Sequence, residues 1–250
     1  MRRSIAREDL RFVLLQARNP EDGAKEEEFL AFTQRLQVGP EQIRQVDILR
    51  EPLDDTTADG ADAILVGGSG EYSVLDEGPE IQRFCAYLAE LTGGDTPVFA
   101  SCFGFQALAL GLGGEVIHDE DHAEVGTYEL ELTEEGTRDE LFGALPEHFL
   151  AQLGHKDRVF RPPEGVTTLA RSPWSPFQAF RVTGKPIYAT QFHPELTWVD
   201  NKVRFKGYME QYGSLFGHEA ALSKLHGHRP SPEANDLPSR FVEHFLLGQG

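Results

Sequence analysis

Between residues 11 and 112 the chain alternates short apolar runs with amphipathic stretches, and that alternation leaves few folds open. Residues 11–16 (RFVLLQ), 43–49 (IRQVDIL), 61–66 (ADAILV) and 97–100 (PVFA) read as strands. Residues 25–36, 79–91 and 103–112 carry apolar side chains at helical spacing. Strand and helix taking turns predicts a parallel sheet covered by helices on both faces, an α/β fold. From about residue 125 the texture changes. Residues 127–132, 166–170, 177–182 and 187–191 read as short strands, 197–216 as one helix, 217–237 as a polar loop and 237–247 as a terminal helix. No composition shift divides the 250 residues, so 1–250 is expected to form one domain.

The charge sum narrows the partners. There are 23 basic and 41 acidic residues, a net charge of −18. Such a surface repels phosphate backbones and anionic membranes, so neither nucleic acid nor membrane is an expected partner. An acid-rich, Lys-poor surface also hints that molar salt stabilises the protein. Two cysteines cannot build a disulfide framework, residues 1–10 are charged rather than apolar, and no apolar run is long enough to span a bilayer. The expected compartment is the cytoplasm.

Three glycine-rich or strained turns carry chemistry. Ala100–Cys102 leaves a strand and Phe103–Gln106 opens a helix. A cysteine on that turn sits over a helix N-terminus, which favours thiolate, and the N–H of the next residue can meet an oxyanion. A structural role is the plainer reading for a lone cysteine, and Cys85, among Ile81, Phe84 and Leu88, is assigned to the core. His193 and Glu195, two apart around Pro194 at a strand end, can supply a base and the carboxylate that orients it. Gly67–Gly68–Ser69–Gly70 is a strand exit with free amides, and it matches neither a P-loop nor a dinucleotide fingerprint.

Together these segments resemble the class I glutamine amidotransferase family, most like the amidotransferase part of GMP synthase. The resemblance extends to Glu124–Val125–Gly126, to Gly154–His155–Lys156–Asp157 and to Gln178–Ala179–Phe180. It implies a flavodoxin-like three-layer sandwich with a central, mostly parallel sheet, catalytic segments within 66–195 and a helical tail over 197–250. Carried over, Cys102 is the nucleophile, His193 the general acid/base and Glu195 the orienting carboxylate. The backbone N–H groups of Gly68 and Phe103 form the oxyanion hole, and Gly67, Gln106, Val125 and Gly126 bind substrate. The implied chemistry is hydrolysis of a γ-carboxamide through a thioester, with no metal or other cofactor. Two departures stand out. The family usually has Gly where this chain has Ala100, and often His or Met where it has Phe105, which the resemblance places at the pocket floor.

The implied partners are glutamine or a γ-glutamyl compound and a separate ATP-using synthetase that takes the ammonia, since the domain fills the chain. A stand-alone γ-glutamyl peptidase is the alternative, and a non-enzymatic binding protein of the same fold a third. The remaining candidates read as structural. His118 and His122 form a polar rim rather than a zinc site, because Asp119 breaks the HExxH pattern. His226 and His228 are solvated, Trp174 and Trp198 pack, and Glu26–Glu28 is a solvated helix face.

Overall fold

The computed structural model describes residues 5–247; the first four residues of the charged stretch 1–10 and residues 248–250 lie outside the described residues. In chain order the elements are β1 (Phe12–Gln16), α1 (Ala24–Leu36), β2 (Ile43–Asp47), β3 (Ala63–Val66), α2 (Pro79–Leu91), β4 (Val98–Ser101), α3 (Phe103–Gly111), β5 (Glu115–His118), β6 (Glu124–Leu132), α4 (Glu134–Arg138), β7 (His148–His155), β8 (Asp157–Arg161), β9 (Val166–Arg171), β10 (Ala179–Val182) and β11 (Ile187–Thr190). Five helices follow: α5 (Trp198–Gly207), α6 (Met209–Phe216), α7 (His218–His226), α8 (Pro232–Asn235) and α9 (Leu237–Phe245).

Nine strands form one sheet in the order β2-β1-β3-β4-β11-β10-β9-β6-β7, and β5 pairs with β8 apart from it. From β2 to β11 every pairing is parallel; β10, β9, β6 and β7 extend the sheet antiparallel. Alternation along the strands builds two apolar layers. Leu14 and Leu65 join Phe32 of α1, Phe99, Tyr188 and Phe241 of α9 on one face. Val13, Ile64, Val66 and Ala100 join Ile81, Phe84 and Leu88 of α2 and Phe105 and Leu108 of α3 on the other. The expected α/β sandwich is observed.

Several local expectations change. The helix expected over 197–216 breaks at Tyr208 into α5 and α6, and the polar stretch 217–237 contains α7 and α8. The strands β5, β7 and β8 are not among those expected from the sequence. Glu26 and Glu27 are exposed as expected, but Glu28 is fully buried, while Leu30 on the same helix is 45% exposed. Trp174 is exposed rather than packed, His228 is buried rather than solvated, and Cys85 lies in the core with its thiol pushed up to about 11 by burial. Among the described residues no helix is long and apolar enough to cross a membrane.

Candidate active site

β4 and β11 are parallel neighbours with Ala189 opposite Ala100 and Thr190 opposite Ser101, so both chains leave the sheet at the same edge. Cys102 follows β4 and His193 follows β11, which brings two segments about ninety residues apart side by side. The turn at Cys102 is tight. Its φ of +50° and ψ of −98° lie outside the regions comfortable for an L side chain, a strain of about 1–3 kcal/mol. The turn is held by Cys102 N–H donating to Thr190 O at 2.7 Å and Gly104 N–H donating to Gly67 O at 3.3 Å. A Cβ at Gly104 would stand 2.5 Å from Val66 Cγ1, so only glycine lets the helix start this close to β3. Ala100 is fully buried in β4, so the departure from the family glycine is absorbed inside the sheet.

His193 lies between a sulfur and a carboxylate. Its Nδ1 is 2.6 Å from Glu195 Oε1, and the ring also bonds the Cys102 side chain. Burial opposes charge on this ring, but Glu195 and Cys102 outweigh it and push the imidazole up to about 10. Glu195 is fully buried. Gln191 Nε2 donates to Cys102 Sγ at 3.7 Å, and Asn235 Nδ2 of α8 donates to Pro194 O and Leu196 O at 2.7 and 2.8 Å. Sequence reasoning missed both of these supporting residues.

The glycine loop departs from expectation. A Cβ on Gly68 would be 2.7 Å from His193 Cε1, so the ring packs directly on this residue. Its N–H, however, donates to Glu28 Oε1 at 2.9 Å. Glu28 is fully buried, ion-paired with Arg18 at 3.0 Å and hydrogen-bonded by Gln16. Burial would raise its pKa, but Arg18 and Arg204 hold it below the usual carboxylate range, so it takes the Gly68 N–H as an anion. The expectation that this N–H is free for an oxyanion is therefore not met in this conformation. Phe103 N–H is the first of its helix and has no intrahelical acceptor.

A cavity of about 620 Å³ opens on Cys102 and His193, and Phe103, Gln106 and Val125 help line it. Gly67 and Gly126, expected to bind substrate, lie behind its wall. The open side of Gly67 is filled by the Glu28 carboxylate, and that of Gly126 faces His228 and Lys224. Gln106 is tied back, its Nε2 donating to Asp157 O at 2.7 Å and Gln191 Oε1 at 3.1 Å. Phe105 does not form a pocket floor. It points into the core, its ring centroid 4.9 Å from that of Phe180. The three outlying motif pieces meet in one buried cluster: His155 Nε2 is 3.2 Å from Glu124 Oε2, and Gln178 Nε2 donates to the same oxygen. His118 and His122 take separate carboxylates, Asp157 at 2.6 Å and Asp119 at 2.9 Å.

Comparison with known proteins shows the family. The sequence model of the family Glutamine amidotransferase class-I matches residues 33–206, well over half of the chain. A glutamine-hydrolysing GMP synthase of Thermosipho melanesiensis is 35% identical over 135 residues, which cover 54% of this chain and 24% of that enzyme. A glutamine-hydrolysing GMP synthase subunit of Methanocaldococcus jannaschii is 35% identical over 123 residues, 49% of this chain and 63% of its own length. The chain thus spans less than two thirds of the length of either relative. A solved glutamine amidotransferase of Thermotoga maritima superposes with a TM-score of 0.68 at 18% identity, covering 96% of this chain and 99% of that one, which shows a shared fold. Because the family model matches well over half of the chain, the chain belongs to the class I glutamine amidotransferase family.

Proposed function

We propose that this chain hydrolyses the γ-carboxamide of glutamine through a Cys102 thioester and supplies ammonia to a separate ATP-using synthetase. The observation that carries the reading is Cys102, His193 and Glu195 in one hydrogen-bonded line at the wall of a cavity. The Cys102 sulfur attacks the carbonyl, with the Phe103 N–H as the free donor for the oxyanion. His193, charged between the sulfur and Glu195, gives its proton to the departing ammonia and then takes one from the attacking water. Gln106 and Val125 border the substrate, and the chemistry needs no metal or other cofactor. The names of the relatives, glutamine-hydrolysing GMP synthases, support glutamine as substrate and a synthetase as partner. The net charge of −18 argues against nucleic acid and anionic membrane as partners, and we place the reaction in the cytoplasm.

The test is glutamate release by the purified chain and by Cys102→Ala. Turnover that falls to background in the variant supports the reading. Equal turnover in both, or none in either with and without a candidate synthetase, rejects it. A second reading, hydrolysis of γ-glutamyl compounds without a partner, draws on the cavity. Its volume is typical of sites for ligands well above a free amino acid in size.

A further inference from the structure

The cavity at Cys102 is lined from two directions, and aromatic rings are concentrated on one of them. One wall comes from the loops at the strand ends and is polar and charged, with Glu71, Asp76, Lys156 and Asp157. The other comes from α5 and α6 and presents Phe205, Tyr208 and Tyr212 beside Asn201, Arg204 and Gln211. Those rings form a continuous strip. The centroids of Phe205 and Tyr212 are 4.6 Å apart, and Tyr212 lies 6.2 Å from both Tyr208 and Phe216. The strip reaches the catalytic loops. A Cβ on Gly70 would meet Tyr208 Oη at 2.1 Å, so Tyr208 closes directly over the glycine loop. Tyr208 and Tyr212 line the same cavity as Cys102. The family match ends at residue 206, before Tyr208 and Tyr212.

Ammonia leaving from glutamine needs no aromatic wall. The amino-acid head of a γ-glutamyl substrate is a zwitterion, which belongs against the carboxylates and Lys156 of the polar wall. The aromatic wall is then left for whatever is attached to the γ-nitrogen. Resting on the Cys102 chemistry proposed above, we propose that Tyr208 and Tyr212 of the α5–α6 wall form a subsite for the amine part of γ-glutamyl amides, and that the site takes amides with an aromatic or apolar amine as well as glutamine. The reaction is the same in outline. The Cys102 sulfur bonds to the γ-carbon, the C–N bond breaks, and the amine leaves with the proton from His193. Water then adds to the thioester, glutamate departs and the thiol is restored.

The probes are glutamine, γ-glutamyl-methylamide and γ-glutamyl-p-nitroanilide, assayed with wild type, Cys102→Ala, Tyr212→Ala, Tyr212→Phe and Tyr208→Ala. The wild type is expected to cleave the anilide in a Cys102-dependent way and in preference to the methylamide. Tyr212→Ala is expected to lower the ratio of kcat/KM for anilide over glutamine about tenfold, the size of a lost ring contact with its buried area. Tyr208→Ala is expected to lower it in the same sense, and Tyr212→Phe to keep it. Thermal melts of each variant separate lost folding from lost recognition. An unchanged ratio in both folded alanine variants overturns the subsite while leaving glutamine hydrolysis standing. Glutamine turnover with no anilide turnover in the wild type does the same. No Cys102-dependent release from any probe overturns the subsite together with the reading beneath it.

Discussion

His193 carries its charge because two partners outweigh its burial, and removing either should show in its titration. Glu195→Gln keeps the shape and a hydrogen-bond acceptor but removes the carboxylate charge 2.6 Å from Nδ1. The imidazole pKa should then fall well below the value of about 10 in the wild type. A pKa raised from 6.5 stabilises the fold fully below pH 6.5, and that contribution is lost as pH climbs through about 10. Wild-type stability should therefore decline across that window, and the Glu195→Gln variant should decline less. Its kcat should drop by about 10²–10⁴, as expected when a base loses its orienting carboxylate. The imidazole Cε1–H resonance followed from pH 6 upward measures the first effect. An unmoved His193 pKa in the variant would remove Glu195 from the role assigned to it. This pair was legible in the sequence because strand end, proline and spacing all pointed the same way. Glu28 was not, since three successive glutamates look alike. Its signal was helical phase: residues 28, 32 and 36 share one face of α1, and Phe32 and Leu36 are fully buried.

The His193–Glu195 segment is held in place by an element that the sequence presented as loop. α8 is one short turn, Pro232–Asn235, with proline where a helix tolerates it best. Its last residue, Asn235, donates to the carbonyls on either side of Glu195. Asn235→Ala would leave two buried carbonyl groups without this donor and should cost about 2 kcal/mol, with kcat reduced alongside. Urea denaturation read against steady-state assay checks this, and a variant as stable and active as wild type would show that the segment holds itself. The rest of the tail was missed for similar reasons. α7 buries only Ala221 and Leu225, four apart, too sparse a stripe to stand out among polar neighbours. β7 alternates in burial, but His148, Gly154 and His155 obscure that pattern in composition. The parallel half of the sheet was legible because β1, β3, β4 and β11 are apolar runs, while β2 showed itself by alternation. α6 was read as part of a longer helix, which breaks at Tyr208, and both Tyr208 and Tyr212 line the cavity at Cys102.

Across the whole molecule the two ends of the described chain share one core. Leu10 and Phe12 lie in the same apolar layer as Phe241 and Val242, Phe241 packs edge-on against Phe99 at 5.4 Å, and Arg7 pairs with Glu243 at 3.1 Å. No seam runs between an N-terminal and a C-terminal half, because the antiparallel strands hydrogen-bond to the same sheet as the parallel ones. We propose on this basis that the chain is one folding domain. Urea unfolding followed by tryptophan fluorescence, which reports on Trp174 before β10 and Trp198 at the start of α5, should coincide with unfolding followed by far-UV circular dichroism. The net charge of −18 adds a second observable to the same experiment. Self-repulsion of an acidic surface opposes the compact state, and screening relieves it once the Debye length falls to about 3 Å near 1 M salt. The surface ion pairs weakened by the same screening are worth little each, so the repulsion should dominate. Sodium chloride raised from low to molar concentration should therefore shift the single transition to higher urea concentration. A midpoint that falls with salt would mean that paired rather than unpaired charge governs stability, and two separated transitions would mean that the tail helices and the sheet fold independently.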